Sequence, residues 1–400
     1  MSLDQETERL LEHIRQHSRA HEETACNESY GTRSSQSRGR QRPERELRGE
    51  NRTAFARDRD RILYSKAFFR LSGKTQVFMS PKNPLISNRM THTIHVAQLS
   101  RTIARSLHLN EDLAEAIALG HDTGHPPFGH RGEKVLDELS QKYLDNGFLH
   151  NVHSLRMLDI LERHGDGLNL SYEVREGIVR HCGEVETGHF VTGEPSDDLL
   201  ATYQNEPSTL EGCVVKICDR FAYVGKDIED ALASGIITAE DIPEKVTSVL
   251  GNDNSQMIDT LLKDLVVNFY RDKEAFVAEN RREPSNREVG IRLSEPVLNA
   301  LNSMINEFNY PRIYMSDTNN AYSAQTENMI RGLFNHFLGE LDGLRVKENT
   351  QSTLMHFNGE RENPLASHSL GELEELVGKE DETAIARARR YIIYDNLKDF

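Results

Sequence analysis

Apolar residues recur every three or four positions along most of the chain. Residues 88–108 carry such a stripe, with Val96, Leu99 and Ile103 at helical spacing. This period places apolar side chains on one face of a helix, whereas half-buried strands would alternate. The fold class is therefore expected to be all-α. The same pattern predicts helices at residues 150–163, 171–181, 208–233, 254–279, 294–308, 323–341 and 381–394.

Two stretches break this periodicity. Residues 1–50 are polar, and residues 183–207 are acidic and typical of a loop. Between Arg33 and Arg61 there are ten arginines and five acidic residues. A segment with so few apolar side chains cannot bury enough surface to offset the entropy lost on ordering. We therefore expect residues 1–50 to form a flexible Arg-rich arm, either solvated, in a subunit contact, or serving as an electrostatic handle for nucleotides or single-stranded nucleic acid.

Composition and charge narrow the function classes. The 400 residues carry a formal net charge of −16, and no window approaches the roughly 20 apolar residues that span a bilayer. Residues 1–25 lack the apolar segment of a secretory signal, and the four cysteines are not spaced as zinc ligands or redox pairs. We expect a cytoplasmic protein without membrane contact. Since an acidic surface repels polyanions, a nucleotide must be met by local positive charge or a metal cation.

Four polar residues lie where the helical pattern predicts buried faces. His92 shares the stripe of residues 88–108, His121 with Asp122 ends the next helix, and Asp219 lies in an otherwise apolar helix. Each of them alone is more often a hydrogen-bonded core residue than a ligand. Together, two imidazoles and two carboxylates suit manganese, iron, zinc, nickel or cobalt, and they leave coordination positions for water and substrate. The pattern therefore predicts a metal site.

Longer strings of sequence carry a resemblance to a known family. The strings are NRMTHTIHVAQLSRTIA, HDTGHPPFGHRGE and LEGCVVKICDRFAYVGKDIED, at residues 88–104, 121–133 and 210–230. Two flanking segments, residues 57–78 and 167–181, match as well. Over about residues 52–235 the chain resembles the HD-domain deoxynucleoside triphosphate triphosphohydrolases, the bacterial dGTPase-like family.

The resemblance implies an HD-domain helical fold with additional C-terminal helices. Behind the N-terminal arm of residues 1–50, it implies an HD-type catalytic core at residues 51–240. Residues 241–400 would form a helical C-terminal region that completes the fold and makes subunit contacts. Members of the family form homo-oligomers, so we expect one here.

The resemblance also implies roles for individual residues. The metal ligands would be the four residues that the helical pattern groups: His92, His121, Asp122 and Asp219. The catalytic set would be an acid–base pair and two histidines at the phosphates, namely His130 with Glu133, and His125 with His150. Positive charge for the polyphosphate would come from Arg89, Arg220 and Lys226, with Lys74 as a further candidate. Sugar recognition would fall to Tyr223 and Asp227, although Tyr223 also suits plain core packing.

On this resemblance we expect metal-dependent hydrolysis of dNTPs, dGTP among them, to deoxynucleoside and inorganic triphosphate. Manganese or magnesium would support activity, while zinc, iron, nickel or cobalt are also compatible as the bound metal. A dNTP effector is a further expected partner. Two alternatives stay open: another HD-type nucleotidase or phosphodiesterase, and a nucleic-acid-binding regulatory protein that keeps the metal for structure.

Overall fold

A computed structural model describes residues 5–44, 51–78, 83, 85–143, 147–183 and 188–346 of the chain. The described residues are predominantly helical, which confirms the all-α fold class. The helices are α1 (Gln5–Ala25), α2 (Ala54–Leu63), α3 (Lys66–Arg70), α4 (Arg89–Ser106), α5 (Glu111–Gly120), α6 (Gly129–Ser140), α7 (His150–Arg156), α8 (Tyr172–Val179), α9 (Leu210–Ala233), α10 (Glu244–Leu250), α11 (Asn254–Asn280), α12 (Glu295–Asn302), α13 (Asp317–Ala321) and α14 (Ser323–Val346). Two short strands, β1 (His189–Phe190) and β2 (Ile291–Arg292), pair antiparallel.

The described residues form two compact units. The first contains the main hydrophobic core and takes in the described residues up to 129 and from 149 to 323, and the second takes in those between 130 and 148 and between 324 and 346. Within the second unit, Glu138 of α6 pairs with Arg331 of α14, and the rings of Tyr143 and Phe334 lie 6.1 Å apart. The boundaries that we expect at residues 50 and 240 stay predictions.

Helices α4, α5 and α9 pack together at the centre of the first unit, with α2 and α8 against α5. The side chains of Val96, Ile103, Leu113 and Ile117 are fully buried there. Each such side chain contributes roughly 1.5–3 kcal/mol when it leaves water. The apolar stripes of the sequence are therefore the buried faces of these helices. Polar residues that lie in the same stripes are buried with them.

Helix α4 begins where it does because the local sequence forms a reciprocal cap. The Asn88 side chain accepts a hydrogen bond from the backbone N–H of Thr91, and the Thr91 hydroxyl accepts one from the N–H of Asn88. The helix ends before His108, whose φ of 55° lies outside the right-handed helical region. The cap places Arg89 and His92 in the first turn.

The loop after α5 lies directly against α7. A Cβ at Gly124 would come within 2.2 Å of the backbone nitrogen of Ser154, so only glycine permits this approach. The N–H of Gly124 also donates a hydrogen bond of 2.9 Å to the Ser154 hydroxyl. This contact holds the loop that carries His121 and Asp122 beside the helix that carries His150.

Several boundaries differ from the sequence pattern. Within the predicted helix at 150–163, the α-helix ends at Arg156 and a π-helical segment, Met157–Leu161, follows it. The π-helical segment Ser303–Tyr314 follows α12 in the same way. The predicted loop at 183–207 contains β1. The predicted helix at 381–394 lies outside the described residues. None of the helices in the described part of the chain combines the length and apolar character needed to span a bilayer.

Residues 26–44, which we expect to belong to a flexible arm, hydrogen-bond to other parts of the first unit. The backbone N–H and hydroxyl of Thr32 both donate to Glu211 at 2.9 Å. The guanidinium of Arg40 donates to Asp58 at 2.5 Å and to the carbonyl of Asn169 at 2.6 Å. Specific polar contacts therefore help to hold this segment in place, and the buried ring of Tyr30 adds apolar contact with the core.

Candidate metal centre

Three residues from separate stretches of the chain meet in the first unit. His92 comes from the first turn of α4, His121 from the end of α5, and Asp219 from the middle of α9. The Nε2 atom of His92 lies 2.8 Å from Oδ1 of Asp219, and Nε2 of His121 lies 3.7 Å from the same oxygen. The three donor atoms all lie within 4.8 Å of one another, which is close enough to share one cation.

Asp122 lies beside this group, next to His121. Its Oδ2 lies 3.7 Å from Nε2 of His121 and accepts a hydrogen bond from the Arg89 guanidinium, and its Oδ1 lies 3.9 Å from Nε2 of His150. Burial raises the pKa of this carboxyl, but Arg89 and the neighbouring histidines outweigh burial and hold the pKa well below its usual range. The carboxylate is therefore ionised and available as a ligand.

His121 presents an acceptor nitrogen to the group. Its Nδ1 donates a hydrogen bond of 2.6 Å to the carbonyl of Ala118, so the lone pair is on Nε2. Burial lowers the pKa of the ring to about 4, which keeps it neutral at pH 7. Among the described residues Nε2 has no hydrogen-bond partner, although it is buried. An unsatisfied buried acceptor costs about 1–3 kcal/mol, and a divalent cation among these ligands would satisfy it.

Asp219 is also ionised. Burial raises the pKa of its carboxyl, but the hydrogen bond with His92 and the electrostatic interaction with His121 outweigh that effect and hold the pKa well below its usual range. Two imidazoles and two carboxylates fit Mn²⁺, Fe²⁺, Zn²⁺, Ni²⁺ or Co²⁺. The donor set thus fits the metal that the sequence pattern predicts.

Two more of the predicted histidines lie beside Asp122. The ring centroids of His125 and His150 are 4.7 Å apart, and one nitrogen of each lies within 4.8 Å of an Asp122 oxygen. His130 and Glu133 belong to the second unit, on α6, three residues apart and so on one face of the helix. His130 is exposed there and Glu133 is half-buried.

The basic residues fall into two groups. Arg89 is buried against Asp122, and Lys74 lies 3.4 Å from the carbonyl of Thr123, where burial and the charge of Arg89 lower its pKa to about 8. The other two residues have partners elsewhere: Arg220 donates to Asn302 at 3.0 Å, and Lys226 donates to Asp230 at 2.7 Å. Arg89 and Lys74 therefore lie beside Asp122 and the residue that follows it. Lys226, by contrast, is paired with Asp230.

The predicted sugar-binding residues lie farther along α9. Asp227 is buried and accepts a hydrogen bond of 2.7 Å from the Tyr314 hydroxyl. Burial raises the pKa of the Asp227 carboxyl to about 7 and also raises the pKa of Tyr223. Tyr314 comes from the π-helical segment after α12, and the sequence interpretation missed it.

The sequence interpretation also missed His181 and Cys182, which follow α8. The ring of His181 lies 4.9 Å from the ring of His121, and its Nδ1 hydrogen-bonds to the carbonyl of Ile178 at 2.7 Å. Burial raises the pKa of the Cys182 thiol, but His181 and His150 outweigh burial and lower this pKa to about 6. A signal for His181 was present, since it lies seven residues after Val174 and three after Ile178 on one helical face.

Comparison with known proteins points to the family that the sequence motifs resemble. The HD domain family matches residues 89–224. A deoxyguanosinetriphosphate triphosphohydrolase-like protein of Desulfatibacillum aliphaticivorans is 39% identical over 312 residues, which are 78% of this chain and 80% of that protein. The protein of the same name from Caldanaerobacter subterraneus subsp. tengcongensis is 48% identical over 239 residues, 60% of this chain and 63% of the relative. That from Clostridium tetani is 44% identical over 236 residues, 59% of this chain and 62% of the relative.

Two of these matches thus span less than two thirds of the relative, and one spans four fifths. The family that the sequence motifs resemble is confirmed. This chain belongs to the HD-domain family of deoxyguanosinetriphosphate triphosphohydrolase-like proteins.

Proposed function

We propose that the protein is a metal-dependent nucleotide triphosphohydrolase that converts dNTPs, dGTP among them, to deoxynucleoside and inorganic triphosphate. The observation that carries the proposal is the meeting of His92, His121 and Asp219, with Asp122 beside His121 and with the buried Nε2 of His121 lacking a hydrogen-bond partner among the described residues. The names of the relatives support the substrate class.

The four residues of this centre would hold a divalent cation, with manganese or magnesium supporting activity. Such a cation supplies Lewis-acid polarisation of a phosphoryl oxygen and lowers the pKa of a bound water molecule. Arg89 contributes by keeping Asp122 ionised through its hydrogen bond to Oδ2. Two ionised carboxylates then offset the charge of the cation in a buried site, where an unpaired charge would be costly.

The reaction breaks the bond between the α-phosphorus and the 5′-oxygen, and water supplies the new oxygen on the triphosphate. The 5′-oxygen must gain a proton, and the attacking water must lose one. We assign these transfers to His130 and Glu133, because imidazole and carboxyl groups can exchange protons near neutral pH. His125 and His150 would donate hydrogen bonds to phosphate oxygens, and Lys74 would add positive charge.

The sugar would be recognised by shape and by one hydrogen bond. Tyr223 would pack against C2′ and leave no room for a ribose hydroxyl, while Asp227 would accept from the 3′-hydroxyl. The hydrogen bond from Tyr314 to Oδ2 of Asp227 fixes the orientation of that carboxyl and leaves Oδ1 to the sugar. A steric wall combined with a required hydrogen bond discriminates well between sugars.

Product analysis tests the proposal. The purified protein is incubated with Mn²⁺ and each of the four dNTPs, and the products are separated by anion-exchange chromatography. Triphosphate and deoxynucleoside in equal amounts are expected. Pyrophosphate or orthophosphate as the first product would instead indicate another HD-type phosphohydrolase.

Two variants separate metal binding from chemistry. Asp219→Ala is expected to lose bound metal and turnover together, since it removes a ligand. His130→Ala is expected to lose turnover by about 10²-fold or more while keeping the metal, because it removes a proton-transfer group only. An Asp219→Ala variant that still binds metal tightly would contradict the four-ligand centre.

A further inference from the structure

A second cluster of donor atoms lies next to the metal centre. The Sγ atom of Cys182 is 3.2 Å from Nε2 of His150 and 3.3 Å from Nε2 of His181, and all three atoms lie within 4.8 Å of one another. The proposed hydrolysis uses His150 at the phosphates and uses neither His181 nor Cys182. A thiol in contact with two imidazole nitrogens is also a typical set of zinc ligands.

The spacing of the cluster is close to that of a tetrahedral zinc site. With Zn–S of about 2.3 Å and Zn–N of about 2.0–2.1 Å, tetrahedral geometry separates sulfur from nitrogen by about 3.6 Å. The two observed distances, 3.2 and 3.3 Å, fall short of this value by only a few tenths of an ångström. Small rotations of the three side chains would therefore admit the ion.

The surroundings favour a metal over a simple hydrogen-bonded trio. The Nδ1 of His181 donates to the carbonyl of Ile178 at 2.7 Å, and this bond orients the ring so that Nε2 faces Cys182. The amide of Asn151 donates to the carbonyl of Val179, and this bond joins α7 to α8 beside the cluster. Asp122 places a carboxylate oxygen 3.9 Å from Nε2 of His150, which adds negative charge next to the position of a cation.

We propose that His150, His181 and the thiolate of Cys182 form a second metal site, selective for soft divalent ions such as Zn²⁺. Binding releases the thiol proton to solvent, and three protein ligands leave the fourth coordination position for water. A thiolate ligand favours Zn²⁺ over Mg²⁺ and Mn²⁺, which prefer oxygen. The site would thus take a different ion from the one that supports hydrolysis.

The consequence for activity rests on the proposed function. Zn²⁺ bound here would occupy Nε2 of His150 and withdraw it from the phosphates. We therefore expect Zn²⁺ to inhibit the Mn²⁺-supported reaction through this cluster.

Cobalt spectroscopy tests the site without reference to activity. Co²⁺ bound to a thiolate gives a sulfur-to-metal charge-transfer band in the near ultraviolet, and the first centre has no sulfur ligand. The band is expected with the wild-type protein and with Cys26→Ser, a buried thiol elsewhere in the fold, and it is expected to vanish in Cys182→Ser and Cys182→Ala. A wild-type protein without the band, or a band that persists in both Cys182 variants, would overturn the proposal.

Thiol labelling gives a second readout on the unmutated protein, so it does not depend on how a variant folds. Cys26, Cys213 and Cys218 are at most 3% exposed, whereas Cys182 is partly exposed. Cys182 is therefore expected to react first with Ellman's reagent. Zn²⁺ is expected to slow that reaction about tenfold or more, because the metal holds the thiolate, and EDTA is expected to restore it. Equal labelling rates with and without Zn²⁺ would contradict a thiolate ligand.

Inhibition then links the site to hydrolysis. Each variant is compared with its own Mn²⁺-supported rate, and Cys182→Ser is expected to require about tenfold more Zn²⁺ for half-inhibition than Cys26→Ser, because one ligand is lost. If the protein binds Co²⁺ through sulfur but hydrolyses no dNTP, the proposed function fails and the metal site stands. Equal Zn²⁺ inhibition of the two variants would refute the inhibitory role alone.

Discussion

At the scale of the residue, Asp227 is a buried carboxyl whose titration affects the stability of the folded protein. It is 2% exposed, and the neutral Tyr314 hydroxyl is its hydrogen-bond donor. Burial raises the pKa of the carboxyl from 3.8 to about 7, so the ionised form is destabilised in the folded state. A core position that only filled space would be more stable with an apolar residue or an amide. A carboxyl at this position therefore costs stability near neutral pH, as the sugar-binding role that we propose would allow.

The pH dependence of stability follows from this shift. The folded protein retains the proton of Asp227 up to about pH 7, while the unfolded chain loses it near pH 4, so the free energy of unfolding falls as pH rises between these values. The side-chain amide of the Asp227→Asn variant cannot titrate. The stability of this variant relative to the wild type should therefore increase by about 2 kcal/mol between about pH 5 and about pH 8.

Urea unfolding of the wild type and of Asp227→Asn across this pH range measures the difference in their free energies of unfolding. The titration of groups that both proteins share contributes equally to each and drops out of that difference. Parallel stability profiles for the two proteins would contradict the raised pKa. If Asp227 accepts from the 3′-hydroxyl, the same stabilised variant should also show a higher KM for dNTPs.

Individual residues also show what the sequence could predict. The faces of His92 and His121 follow from helical spacing, and the same rule applied to residues 174–181 would have included His181. Tyr314 could not be found in this way, because it lies 87 residues from Asp227 in a π-helical segment that contains Pro311. Cys182 lies just beyond α8, where its contacts depend on how two helices meet.

At the scale of the element, the prediction succeeds where a helix has a strong cap and a regular stripe. Helices α9 and α11 begin and end within two residues of the predicted bounds, and Thr209 and Asp253 cap them. The prediction of helix ends fails after α7 and α12, where the chain continues as a π-helix. The hydrogen bonds of a π-helix span five residues, and this spacing gives the apolar residues no distinct period.

The cap of α4 provides a test at this scale. Asn88→Ala should lower the free energy of unfolding by about 1 kcal/mol, whereas Asn88→Gly should cost only a few tenths, because glycine tolerates the cap conformation. Since His92 lies in the first turn, fraying in Asn88→Ala should also weaken metal binding by up to about fivefold. Urea unfolding and metal titration measure the two effects. Equal losses in the two variants would show that the cap does not fix this turn.

At the scale of the whole molecule, the basic block of the sequence is largely neutralised within the chain. Arg33 pairs with Glu23, Arg59 with Asp112, and Arg61 with Glu44. In a protein with a net charge of −16, these acidic partners are abundant. The described arginines of the block therefore have less free charge to offer a nucleic acid than their number suggests.

The pair of Arg40 and Asp58 decides whether residues 26–44 are an arm or part of the fold. The Asp58 carboxyl is completely buried, and besides Arg40 it accepts from the N–H of Ser171 at 2.8 Å. Arg40→Met would leave a buried charge without its nearest counter-ion, at a cost of about 3 kcal/mol. Adding Asp58→Asn removes that charge and keeps an acceptor for Ser171, so the double variant should recover about 1–2 kcal/mol. If the segment is a flexible arm, urea unfolding will show changes below about 0.5 kcal/mol for Arg40→Met and no recovery in the double variant.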